Sequence, residues 1–226
     1  MKIRRIAWSL ASAGMALACL LGASASQATT VLGTGYANGS EPFNVIAPVF
    51  NGANAGGFTG FIDGLPDLFW CDELTQFFSF GTTYTDYTAS TVSNPTLGEL
   101  FTEVGGSVGA TSSTLFSAAF QLAVWEIRYE NPTNPYDLSG GDFKATAGDP
   151  AAIAQATFWL QHLPSTSDYT VTLLHSDNEQ DFVLAHRLVR QSVPEPSALA
   201  LMGLGLAGLF LMLPRSRNAI RRRSAA

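Results

Sequence analysis

Every acidic residue of the chain, Glu41 through Glu195, lies between two basic ends. Lys2, Arg4 and Arg5 open the sequence, and Arg215, Arg217, Arg221, Arg222 and Arg223 close it. Only Arg128, Lys144, Arg187 and Arg190 stand between them. Beside each basic cluster runs an apolar stretch, residues 6–23 and residues 197–213. An apolar run with cations on one flank is a membrane-directed pattern, so neither end belongs to the core of a folded domain. What remains to fold is a body of residues 29–192, long enough for one domain with a buried core.

The first 28 residues read as a secretory signal peptide. The basic start leads into the apolar run, and Ser26-Gln27-Ala28 offers the small-x-small site that a signal peptidase cuts. Ser9, Ser12 and Gly14 dilute the run, which argues against a permanent anchor. Ala16-Leu17-Ala18 lacks the large aliphatic residue expected three before a lipidated cysteine, so Cys19 is not an acylation site.

Residues 193–226 form a second address. Pro194-Glu195-Pro196 precedes the apolar run, and the five arginines follow it. Seventeen helical residues span roughly 26 Å, just enough for the hydrocarbon layer. The arginines place the C-terminus in the cytoplasm and the body on the outer side. This order of motif, helix and basic tail resembles the PEP-CTERM sorting signal of exopolysaccharide-producing Gram-negative bacteria. The resemblance implies processing by an exosortase, a membrane protease-transpeptidase that cuts near the motif and releases the body outward. Gly203, Gly205 and Gly208 spell a dinucleotide fingerprint, but a membrane span offers no strand or βαβ unit to carry it.

Without its two ends the chain changes character. Four basic residues face seventeen acidic ones in 29–192, a net charge of −13 against −6 for the whole sequence. Nucleic acid, which requires clustered cations, is excluded as a partner. Cys71 is the one cysteine left after signal cleavage, so neither a disulfide scaffold nor a four-cysteine zinc site can form. Aromatics at 11% and charge at 13% exclude a disordered chain.

Alternation and β-branched or aromatic content predict strands over 44–50, 58–62, 77–88, 169–173 and 182–189. Glycine, asparagine and proline mark loops over 33–42, 51–57 and 131–150. Two helices are expected. Residues 114–129 are apolar nearly all round and end before Asn131-Pro132, and Asp149-Pro150 starts a helix over 151–163. Strands around two helices without βαβ alternation predict an α+β domain, a β-rich antiparallel sandwich or barrel with two packed helices.

Chemistry concentrates in two places. Cys71 follows Phe69-Trp70 and precedes Asp72-Glu73, whose carboxylates disfavour a thiolate. Gln121 is the one amide in the central turns of the apolar helix, in line with Ser117 and Trp125. A buried amide must find partners, and a bond to a neighbouring strand would satisfy it. Together, Phe69-Trp70-Cys71 and Gln121-Leu122-Ala123-Val124-Trp125 resemble the thioester domain of bacterial surface adhesins, over residues 69–129. Phe120 stands where that family usually has threonine. The resemblance implies that the Cys71 sulfur attacks the Gln121 carbonyl, expels ammonia and leaves an internal thioester. An amine on a surface ligand would then take the acyl group once, in a capture without enzymatic turnover.

Weaker motifs fall away on context. Gly105-Gly106-Ser107-Val108-Gly109 spells a hydrolase elbow, yet no helix-forming run follows it directly; Asp149 and His162 complete only the chain order of a triad. His162, His175 and His186 lack zinc spacing, and the acidic run 176–181 lacks that of a calcium loop. No cofactor or metal is expected. The expectation is therefore an exported, exosortase-processed surface or biofilm-matrix protein that is no enzyme. It is either a covalent adhesin through Cys71 and Gln121, or a non-covalent exopolysaccharide-binding or structural protein with an inert Cys71.

Overall fold

The computed structural model describes residues 28–49, 51–146 and 148–189. The signal peptide expected over residues 1–28 and the sorting helix expected within 193–226 lie outside the described residues, residue 28 excepted. Among the described residues no helix is long and apolar enough to cross a membrane. Residues 188–226 form a second unit, of which only Leu188 and Val189 are described, both exposed.

Six antiparallel strands close into a barrel. They are β1 (Thr29–Tyr36), β4 (Phe58–Ile62), β5 (Leu65–Cys71), β9 (Phe182–Arg187), β8 (Tyr169–His175) and β6 (Thr83–Thr91), in that spatial order, with β6 returning to pair with β1. Closure leaves the barrel without free edges. A separate sheet runs β3 (Asn51–Ala55), β2 (Glu41–Ala47), β7 (Lys144–Thr146). Four helices pack with them: α1 (Pro95–Glu103), α2 (Gly106–Ala110), α3 (Thr114–Tyr129) and α4 (Pro150–Gln161).

The β-rich antiparallel α+β class holds, with four helices in place of the two expected. Each of the two extra helices is short. Asn94 caps α1 by accepting from the Thr96 N–H at 3.0 Å, ahead of a proline at its first position. The expected helix over 114–129 matches α3, which Ser113 caps through the Phe116 N–H at 3.1 Å. Strand 58–62 also matches β4. The strand expected over 77–88 is corrected: only Thr83 onward is strand, and residues 72–82 form an irregular segment rich in phenylalanine. Its aromatic content serves the wall of a cavity rather than a sheet. Residues 51–55, read as loop from Asn and Gly, are β3, because β2 offers a complete antiparallel ladder from Glu41 to Val45.

The core is aromatic. Phe58, Phe69, Phe78 and Phe182 meet with ring centroids 4.9–5.8 Å apart, while Trp70, Phe101 and Phe120 meet at steep angles between sheet and helices with centroids 4.8–5.3 Å apart. Helix α3 runs through the middle of this packing with residues 117–127 all buried, as its nearly uniform apolar surface requires.

Candidate functional site

The site is built where β4 runs out. β5 pairs with β4 from Leu65 to Phe69, opposite Phe58, and no further. Trp70 and Cys71 continue along β9 on the other side, Cys71 opposite Phe182. The Asp72 N–H bonds the Asp181 carbonyl at 2.8 Å, so strand alternation turns the N–H and C=O of Cys71 away from β9, toward the place β4 has vacated. Buried backbone groups need partners, and α3 supplies them. Ser117, Gln121 and Trp125 lie one turn apart along a single stripe. Ser117 Oγ accepts from the Gly57 N–H at 2.8 Å. Gln121 grips Cys71 twice: the Cys71 N–H donates to Oε1 at 3.0 Å, and Nε2 donates to the Cys71 carbonyl at 2.7 Å. Its carboxamide thus stands in for the missing strand.

Gln121 therefore reaches the backbone of Cys71. The sulfur has other neighbours. The thiol donates to the Glu73 carbonyl, and the Gln180 Nε2 stands 2.7 Å from Sγ and 3.4 Å from the same carbonyl. The Trp125 indole N–H is buried without a hydrogen-bond partner, and it lies near enough to the sulfur to favour the thiolate. Burial pushes the Cys71 thiol well above its ordinary range. The indole and the Glu73 carbonyl oppose that rise, and the Asp72 and Glu73 charges add to it. The thiol is neutral at physiological pH, and no free thiolate is on offer.

Sulfur and carboxamide share a cavity of about 240 Å³. Tyr36, Phe58, Phe78 and Phe80 wall it with aromatic rings, and Cys71, Gln76, Trp125 and Gln180 also line it. Gln121 does not line it.

Gln180 owes its position to a braced turn between β8 and β9. The Asp181 carboxylate accepts from the Ser176 N–H at 2.9 Å and pairs with His175 Nδ1 at 2.8 Å, which raises the His175 pKa. Asp86, on β6, accepts from Ser176 Oγ at 3.0 Å and Asn178 Nδ2 at 3.3 Å. The Tyr87 hydroxyl donates to the Gln180 carbonyl at 2.7 Å, and the Asp181 N–H donates to Glu73 Oε1 at 3.1 Å. The acidic run 176–181 is thus a self-bonded turn that aims a carboxamide. Among the described residues no group of three His, Cys, Asp or Glu side chains is placed to hold a metal ion.

The hydrolase motif has no elbow. A helix and a left-handed Gly105 precede Ser107, with no strand leading in, and Ser107 lies inside the short α2. Asp149 caps α4, and His162 bonds the Phe158 carbonyl at 2.7 Å and stacks on its ring. Sequence reasoning missed Gln180 and Gln76. A usable signal existed: a carboxamide two residues before a strand is well placed if that strand pairs with the one carrying the cysteine.

No curated protein matches the chain, and no solved structure matches it. Residues 192–216 match the PEP-CTERM protein-sorting motif. The chain thus carries a PEP-CTERM sorting motif, which implies export and membrane anchoring before processing by an exosortase.

Proposed function

We propose that the exported body is a thioester domain whose Cys71 sulfur is acylated by the side chain of Gln180, and that it serves as a covalent adhesin or matrix protein. The observation that carries this reading is the 2.7 Å approach of the Gln180 carboxamide to Sγ on the wall of an aromatic cavity. The carbonyl carbon is one bond from that nitrogen, and near-attack separations are about 3–3.5 Å. The S–H adds across the carboxamide carbon, the C–N bond breaks, and the nitrogen leaves with the thiol proton as ammonia. Gln121, the partner implied by resemblance to adhesin domains, serves this reading differently. Its amide is saturated by the Cys71 backbone, and it holds the cysteine still while Gln180 reacts. An amine of a surface ligand or matrix component then takes the acyl group.

The experiment is the intact mass of the purified body. The expected result is loss of one ammonia, abolished in Cys71→Ala and in Gln180→Ala and reversed by methylamine, which becomes attached to Gln180. An unmodified mass with a titratable thiol leaves the rival reading, a non-covalent matrix protein with an inert Cys71. Methylamine found on Gln121 would return the acyl role to that residue.

A further inference from the structure

A thioester that waits for an amine needs a group to receive that amine, and two residues that line the cavity carry a polar atom without a partner: the donor Trp125 Nε1 and the acceptor Gln76 Oε1. Gln76 Oε1 is buried and accepts no hydrogen bond, although Gln76 lines the same cavity as Cys71, Trp125 and Gln180. The orientation of its amide follows from its other end. Gln76 Nε2 donates to the Asp177 carbonyl at 3.2 Å, and the flipped amide would set two carbonyl oxygens against each other. A buried oxygen left without a donor is costly and calls for an explanation.

We propose that Gln76 positions the incoming primary amine, its Oε1 accepting an N–H of the nucleophile as it approaches the Gln180 acyl carbon. This rests on the Cys71–Gln180 thioester proposed above. The amine nitrogen bonds to the acyl carbon, the carbon–sulfur bond breaks, and the surplus N–H proton passes to sulfur. The products are a substituted amide at Gln180 and the free Cys71 thiol. Gln76 and Trp125 play complementary parts, since Oε1 holds the arriving N–H while the indole N–H meets the departing sulfur.

The same lining sets the class of acceptor. Among the described residues no carboxylate and no histidine lines the cavity; its polar side chains are those of Tyr36, Asn54, Cys71, Gln76, Trp125 and Gln180. A carboxamide oxygen orients an N–H but is too weak a base to take a proton from water or an alcohol. A neutral amine attacks without that help. The cavity therefore favours amines over hydroxyl groups, and the thioester survives in water until an amine arrives.

The test uses the purified body of wild type, Gln76→Leu and Gln76→Glu, with propylamine as probe and intact mass as readout. All three are expected to lose one ammonia, which also shows that they fold. Gln76→Leu is expected to react with propylamine about tenfold more slowly, the worth of one good hydrogen bond, with hydrolysis unchanged. Gln76→Glu places a base in the cavity, so its hydrolysis is expected to accelerate as pH rises. Equal slowing of aminolysis and hydrolysis in Gln76→Leu, or aminolysis at the wild-type rate, overturns the assignment. A wild-type chain that keeps its ammonia defeats the thioester itself, and that outcome is seen before any amine is added.

Discussion

Replacing Gln121 and replacing Gln180 are expected to have different consequences, although both carboxamides touch Cys71. Gln121→Leu strands the Cys71 N–H and C=O in the interior, each at a cost of about 1–3 kcal/mol, so urea denaturation should show a large loss of stability. Gln180→Ala should abolish the loss of ammonia, and its unfolding midpoint should match that of wild-type protein whose thioester methylamine has opened, since both lack the cross-link over 109 residues. Titration adds a second residue-scale prediction. Burial raises the Glu126 carboxyl to about 7, while Oε1 accepts from the Asp137 N–H at 2.6 Å and Oε2 has no partner. Burial likewise raises Asp72 to about 6, outweighing Arg128 at 2.6 Å. Both carboxyls bind their proton more tightly folded than unfolded. Their contribution is whole below the ordinary carboxylate range and is lost as pH rises through 6 and 7. Asp86, Glu130 and Asp137 are shifted downward and act in the opposite sense, below that range. Thermal midpoints should therefore peak near pH 5 and fall toward pH 8, with a slope of at most about 1.4 kcal/mol per pH unit for each proton. Glu126→Gln should flatten that decline.

At the scale of elements, the turn 176–181 matters most. Two of its side chains hang on Asp86, a residue of β6, so the turn is braced from a neighbouring strand. Asp86→Ala should slow the loss of ammonia, followed by mass over time, without preventing it; an unchanged rate would show that the His175–Asp181 pair suffices. Helix α3 does three jobs with three residues one turn apart, and that periodicity was plain in the sequence. Ser117, Gln121 and Trp125 were readable as one stripe. The turn was not readable in the same way, because a run of Ser, Asp, Asn and Glu has the composition of any solvated loop. The phenylalanine-rich segment 72–82 misled for a related reason. Aromatic and threonine content marks half-buried surface, whether that surface is a sheet or a cavity wall.

At the scale of the molecule, removal of the two basic ends leaves a body with a charge of −13. Its field should draw cationic amines toward the cavity, so coupling to a lysine-rich peptide should slow as salt rises, with a much weaker dependence for a neutral amine donor. A rate indifferent to salt would separate the acidic surface from capture. The sequence alone determined the C-terminal sorting motif, the acidity of residues 29–192, the β-rich class and the long buried helix, because each is written in contiguous composition or short-range period. It also singled out Cys71 and Gln121, each by its own neighbourhood. Which carboxamide meets the sulfur was decided by tertiary structure. Cys71 and Gln180 stand 109 residues apart and come together only because β5 pairs with β9. Gln121 goes to the backbone because β4 stops at Phe58. A strand's end and a register leave no local mark on composition, so no reading of local pattern identifies them.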